Sequence, residues 1–503
     1  MKLVPLSVMA ICAQVAVAEA QPRVLLVDRG PGASGRILSE VLGKPYRLVE
    51  PDTSGFTLPR NERVGTTLLV LGRRTAIDGQ VDGDVVVVGG DLFIHPGARI
   101  RGRAVAIGGG VYPSTLALSI GGVLSFRDNT FVIARTTSGY ELSYQSLYAD
   151  ASPAFRLPGI YGLRGPSYDR VNGVSVPVGP AFSFAGGRGE ANIIATYRSD
   201  LGKIDPSADA TVQLNRRLRI ESFVGRGTFS NDEWIWSDYV NSLSSLVVGK
   251  DTRNYYRADR GEASLHYAME GSRMSVEPFV GARLERSWSV GPGRDDQGSP
   301  WSILGRTDTV DGMRRPNPPV PELDIASALA GSDLRWQSGG VKADARLIAE
   351  HALRVGGSPE PENNAFTQLT FDLNVTFLTF GEQLYEIDVH HVTTPQGVAP
   401  PQRFAYLGGS GTLPFLDLLE QGGAELVFVD QRYSVPIPRF DLRLLGIPTL
   451  QLRHRIGGAG LERLPRLEQA LSVGVLVSIL RVELVIDPAT RETRFSVGLS
   501  FAR

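Results

Sequence analysis

The chain of 503 residues has a single cysteine, Cys12. One thiol closes no intrachain disulfide, and it sits in the leading apolar run, so the mature chain is expected to carry neither disulfide nor lipid anchor. Net charge is also lacking. Fifty-two Lys and Arg against 53 Asp and Glu leave −1, which excludes the concentrated positive charge of a general nucleic-acid binder. No stretch offers roughly twenty uninterrupted apolar residues, so no transmembrane helix is expected. The sequence lacks G-x-S-x-G, H-E-x-x-H and G-x-x-x-x-G-K, which removes the usual elbows, zinc helices and phosphate loops. Adjacent strand residues point to opposite faces, so His390 and His391 cannot clasp one metal. No catalytic, cofactor-binding or metal-binding residue is nominated, and the expectation is a non-enzyme without cofactor.

What is present begins with an export signal. Met1-Lys2, an apolar run over 3–17 and Ala18-Glu19-Ala20 follow the order of a secretory leader, assigned to residues 1–20. Glycine is abundant, at 57 residues, which suits strands and turns better than a helical core. Residues 24–42 imitate a dinucleotide fingerprint, with Gly30, Gly32 and Gly35 before a helix and Glu50 further on. The fingerprint needs a βαβ unit in a larger parallel sheet, and none follows. The helix over 36–42 instead carries one apolar stripe of Ile37, Leu38, Val41 and Leu42. Residues 21–64 are therefore expected to form a strand-helix-strand cap over one end of the next domain.

That domain is a repeat. "VDGDVVVVGGD" from Val81 recurs as "IRGRAVAIGGG" from Ile100, a shift of nineteen residues, with a weaker earlier copy ending at Gly72. Short β-branched runs with glycine at corners predict a β-solenoid of two to three coils over 65–125. The stretch resembles the bactofilins, bacterial scaffold proteins whose β-helices assemble end to end. The resemblance implies either self-association through exposed end coils or, if these are capped, a spacer.

Beyond 126–167, expected to hold connecting strands or a first barrel strand, period-two alternation dominates 168–503. In "LTFDLNVTF", Leu369, Phe371, Leu373, Val375 and Phe377 face one way and Asp372 and Asn374 the other. The opposite faces of these strands carry Asp344, Arg346, Asp372, Glu386, Asp388, Arg453, Arg455, Arg481 and Glu483. In a sandwich such charges meet bulk water; in a membrane barrel they line the lumen. Period alone leaves both open. The export signal, strands of about ten residues without a helical domain, and a terminal aromatic strand favour the barrel. Asp372, Glu386, Asp388, Arg453, Arg455, Arg481 and Glu483 are the candidate lumen-lining residues. Trp234, Trp236 and Tyr239 are expected in an outer loop, as interfacial anchors or a binding surface.

The last hundred residues resemble the bacterial surface antigen superfamily, the BamA-like barrels of outer-membrane assembly and two-partner secretion. The residues that carry this are "YLGGSGTLPF" from Tyr406, "GGAELVFVDQRYSVPI" from Gly422, "LQLRHRIGGAG" from Leu450, and the terminal "RFSVGLSFAR". The resemblance implies that a glycine-rich loop folds into the lumen, with Gly408, Gly409, Gly411 and Phe415 as its candidate residues. The family's Arg-Gly pair before the aromatic is missing, as are its βαββα repeats. The resemblance further implies eleven strands before the loop and five after. Ten are countable before it, and an eleventh is sought at 141–148 or 239–248. The fold expected is thus all-β: a transmembrane antiparallel barrel of 16 strands, with 12–14 as the fallback, preceded by a short β-solenoid. The expected function is a non-enzymatic outer-membrane barrel for protein insertion, translocation or passive passage, with the solenoid in the periplasm. The alternative is a structural tether whose barrel anchors a scaffold domain. Expected partners are outer-membrane lipid and other envelope proteins or a second copy through the solenoid, with no nucleic acid.

Overall fold

The computed structural model describes residues 23–28, 33–114, 117–127, 129–136, 139–146, 154–185, 188–215, 217–271, 273–290, 300–305, 307–338, 340–357, 365–380, 383–440, 447–477 and 480–499. The expected signal and Cys12 lie outside these residues, as do Gly30 and Gly32. No described helix is long and apolar enough to cross a membrane.

The N-terminal region is a three-sided β-solenoid. One side stacks Tyr46–Val49, Thr67–Leu71, Val85–Val88, Ala104–Ile107 and Val123–Phe126, and the two other sides stack four strands each. All neighbours run parallel with unshifted register, Val85 beside Ala104 and Ala104 beside Val123. Leu68, Val70, Val85, Val87, Ala104 and Ala106 point into the prism. Leu69, Leu71, Val86, Val88, Val105 and Ile107 point the other way, yet are equally buried. Uninterrupted runs such as "TLLVL" are what a parallel strand covered on both faces requires. The outer cover is α1 (Ala33–Leu42), which buries Ile37, Leu38 and Val41, together with a small sheet in which Arg23–Asp28 pairs parallel with Gly139–Ser146. Gly109 fixes a corner: a Cβ there would stand 2.2 Å from the Gly90 carbonyl oxygen of the coil before.

Two expectations are corrected. The solenoid begins at Tyr46 and has four coils, because residues 46–64 supply a first coil without the glycine pair that marks the later ones. The helix covers a side of the prism, where the outward Val and Leu row lies, and not an end.

Residues 155–499 form one antiparallel sheet of nineteen segments. Three segments continue the one before along the same neighbour, which leaves sixteen strands. They are β1 (Phe155–Arg156 and Ser167–Asp169), β2 (Gly173–Val178 and Ala181–Phe184), β3 (Gly189–Arg198), β4 (Lys203–Gln213), β5 (Leu218–Phe229) and β6 (Tyr256–Tyr267 and Met269–Glu270). β7 (Met274–Ser289), β8 (Leu323–Ser338), β9 (Val341–Gly356), β10 (Thr367–Leu378) and β11 (Leu384–Gln396) follow. β12 (Glu425–Pro436), β13 (Thr449–Gly460), β14 (Glu468–Val477), β15 (Leu480–Ile486) and β16 (Thr493–Leu499) complete the sheet. Eleven strands precede the glycine loop and five follow it. The eleventh is at neither position sought: 139–146 pairs with the N-terminal strand, and 239–248 lies in α2 (Asp238–Val248).

The sheet curls into a barrel-like wall, since Trp234, after β5, stacks on His390 of β11 at 4.2 Å between ring centroids. Among the described residues no pairing joins β1 to β16. The strand ends that bound the β5–β6, β7–β8 and β11–β12 connections lie at one end of the sheet, and at the other end at most three residues separate β6 from β7 and β8 from β9, while 437–448 separate β12 from β13. Tyr267, Trp336, Phe377, Tyr385 and Tyr433 stand outward at the short-turn end by strand parity, an interfacial aromatic girdle. The chain enters β1 from this end, and Ile447, in the β12–β13 turn, lies 3.4 Å from where a Cβ on Gly97 of the solenoid would sit.

Candidate functional site: the loop-filled lumen

The β11–β12 connection turns inward. A short 3-10 turn, Pro401–Arg403, leads into a small hairpin of Ala405–Leu407 against Gln421–Gly423. Leu407 and Leu413 bury against Leu426, Phe428, Ala459, Ala470 and Val485 on the lumen face of β12 to β15. Gly409 adopts φ +82°, and at Gly411 a Cβ would approach Ile235 to 2.7 Å, so two of the predicted glycines let loops pass at backbone distance. Gly408 donates its N–H to the Thr412 hydroxyl at 2.8 Å. Phe415 is partly buried under the Arg494 guanidinium, 5.2 Å from its ring centroid.

Arg403 anchors this loop. Its guanidinium lies 2.8 Å from Glu285 on β7 and 2.9 Å from Glu350 on β9, and all three side chains are at most 8% exposed. Burial disfavours the Arg403 charge, but Glu350 and Glu285 outweigh that and hold its pKa above the ordinary value. Arg260 contacts Glu285 at 2.6 Å and Arg283 contacts Glu350 at 3.3 Å, which gives each acid a second cation. The family's Arg-Gly pair remains absent, but an arginine five residues before Gly408 ties this loop to β7 and β9.

The other long loops lock onto it. Asn231 donates to the carbonyls of Gln402 and Phe404, and Asp232 accepts from the backbone N–H groups of Tyr406 and Asn254 at 3.1 and 2.8 Å. Burial pushes the Asp232 carboxyl up to about 7, against those N–H groups and the nearby Arg315 and Arg253. Leu418 N–H donates to Asp311. The first hairpin joins in: Arg170 donates to the carbonyls of Arg253 and Arg315, and Tyr168 N–H to Ser242 of α2. Burial and the adjacent Arg170 bring Arg315 down to about 9.

The predicted lumen-lining residues lie on β10 to β15 in three separate groups of contacts. His390 meets Asp372 at 2.6 Å, Arg432 meets Asp388 at 2.5 Å and Glu386 at 3.9 Å, and Arg453 meets Asp430 at 2.6 Å. Arg455 and Arg481 reach Glu483 at 3.5 and 3.8 Å. Asp430 and Arg432 escaped nomination although they alternate with Val429 and Gln431 inside a quoted strand. Glu285, Glu350, Asp232 and Arg403 had no sequence signal beyond charge, because their partners are distant in the chain. Trp234 is corrected: it stacks on lumen-facing His390 beside Phe428 and anchors no interface. Tyr239 is exposed. Among the described residues no cluster suited to a metal appears.

An apolar outward face, an aromatic girdle, a polar ion-paired lumen and long loops at one end define an outer-membrane-type β-barrel, here preceded by a β-solenoid. No family model matches the chain. No curated protein matches it either. Among solved structures it is similar to CdiB from Escherichia coli, at 8% identity over 73% of this chain and 66% of that one, with a TM-score of 0.40. It is also similar to BamA from Haemophilus ducreyi lacking POTRA domains 1–3, at 9% identity over 74% and 73% of the two chains and a TM-score of 0.42. CdiB from Acinetobacter baumannii gives 12% identity over 74% and 65%, with a TM-score of 0.35. The chain thus spans about two thirds of the length of either CdiB.

Proposed function

We propose that this protein is a plugged outer-membrane barrel that inserts or translocates a substrate when its loop plug is displaced, with the solenoid on the periplasmic side. The observation that carries the reading is Arg403, buried between Glu285 and Glu350 while its loop fills the mouth with two others. A lumen held this way argues against passive passage through an open pore. The solenoid lies at the end of the sheet where β6–β7 and β8–β9 turn tightly, which supports the periplasmic side, since such barrels keep short turns there. The flanks of β1 and β16, unpaired among the described residues, leave a seam as the second candidate route. The candidate roles of Gly408, Gly409, Gly411 and Phe415 are to let the plug pack and move. Those of Asp372, Glu386, Asp388, Arg453, Arg455, Arg481 and Glu483 are to hold the wall beneath it.

Planar-bilayer recording tests the reading. The intact protein is expected to be closed, and deletion of 408–415 to give steady conductance. A second reading is a tether, favoured by the same closure together with exposed Val123 and Leu124 on the last solenoid coil. A barrel that stays silent after the deletion, in a protein that multimerises through its solenoid, decides for the tether.

A further inference from the structure

Lipid contact calls for apolar side chains, yet four charges stand side by side on the outward face near the loop end of β5 to β8. Arg226, Asp259, Arg286 and Asp324 are direct cross-strand partners, so guanidinium and carboxylate alternate along one row. Arg226 forks onto Asp259 at 2.6 and 2.7 Å, and Arg286 contacts Glu322 at 2.5 Å. The next outward row toward the short-turn end holds Val224, Gly261, Leu284 and Ala326, again direct partners, and ends at exposed Arg354. Arg354 has no ion-pair partner among the described residues. The two rows border one open concavity of about 1080 Å³. Its floor is open because of glycine: a Cβ on Gly261 would meet nothing within 4 Å.

Height fixes what lies alongside. From Met274 to Arg286 along β7, at about 3.3 Å per residue and a tilt of about 40°, the climb is about 30 Å, against an apolar belt of about 25 Å. The charged row therefore stands at headgroup level and the Gly261 row at the acyl boundary.

We propose that this concavity seats a lipid with an anionic phosphomonoester headgroup, its phosphate held by Arg286 and Arg354 and an acyl chain lying over Gly261 and Ala326. Planar guanidinium forks match phosphate oxygens, and the neighbouring carboxylates hold Arg226 and Arg286 in place. Arg354, without an ion-pair partner among the described residues, borders the apolar floor, and a guanidinium beside an apolar floor complements an amphiphile. The proposal rests on the reading of the sheet as membrane-embedded.

The test uses the full chain in phosphatidylcholine nanodiscs containing lipid A or dephosphorylated lipid A, with retained lipid counted by native mass spectrometry. Wild type is expected to retain the phosphorylated form about tenfold better, the worth of one hydrogen bond to a charged group. Arg286→Gln with Arg354→Gln is expected to lose that preference. Gly261→Leu, whose Cβ has nothing within 4 Å, is expected to retain neither form. Equal retention by wild type and both variants overturns the proposal. So does displacement of lipid A by inorganic phosphate, which would mark a free-anion site, or a dimer that Gly261→Leu dissolves, which would mark a second copy on the floor. Heat-modifiable gel migration of the same samples separates the two readings. An inserted barrel with no phosphate preference loses the lipid seat alone, and a chain without heat-modifiable migration loses the barrel as well.

Discussion

Arg403→Met removes the cation that joins the inserted loop to β7 and β9 while keeping most of its volume. Breaking a buried ion pair from one side costs about 3–5 kcal/mol, because the abandoned charge stays buried. Here Glu285 retains Arg260 at 2.6 Å, and Glu350 retains Arg283 at 3.3 Å and the Ser327 hydroxyl at 2.7 Å. The cost should therefore lie at the low end, about 3 kcal/mol. The loss falls almost entirely on the closed state, since the displaced loop leaves both acids their wall partners. At about 1.4 kcal/mol per tenfold, the ratio of closed to open plug falls by about two orders of magnitude. In planar bilayers the variant should flicker open where wild type stays shut, while heat-modifiable migration of the barrel is unchanged. Glu350→Gln added to Arg403→Met should recover part of the closure, because the abandoned carboxylate is then neutral while its wall partner Arg283 keeps Glu262 at 2.8 Å. A variant as silent as wild type, with an unaltered melting temperature, refutes the assignment of Arg403 as the anchor.

Three further outcomes follow from the same packing. Asp232 titrates near 7 against an ordinary value of 3.8. A raised folded-state pKa gives stability that is complete below about 4 and lost as pH rises through about 7. Thermal melts over that window should fall in temperature as pH rises, and Asp232→Asn should flatten the trend. Trp234→Ala removes the stack on His390 and should destabilise the plug by about 3 kcal/mol, read as faster proteolysis of 230–255 with an intact barrel. Gly109→Ala forces a Cβ to 2.2 Å from a backbone oxygen and should cost the solenoid about 2 kcal/mol or more, seen as protease sensitivity confined to residues before 146.

Period-two reading works where outward positions are large, as in Leu369, Phe371, Leu373, Val375 and Phe377. The alternation is weak in β6 and β8, where Gly261, Ala263, Ala326, Ala328 and Ala330 take those positions and Asp259 and Asp324 reverse the polarity. The wall charges of β10 to β15 are legible because each sits inside an alternating strand. The anchoring of the plug is not, because its contacts join residues such as Arg403 and Glu285 that are 118 positions apart. The first solenoid coil hides for a local reason: "PDTSGFTLPRNERV" lacks the glycine pair that announces its successors.

The parallel pairing of Arg23–Asp28 with Gly139–Ser146 also governs the order of assembly. The first strand of the described chain finds its neighbour only after more than a hundred further residues, so the solenoid coils can stack one by one while their side cover stays unlatched. Closure of that latch joins the first strand to the last two before the barrel in one sheet along the side of the stack. It comes just before the chain commits to the barrel, which places a finished module ahead of an unfinished membrane wall.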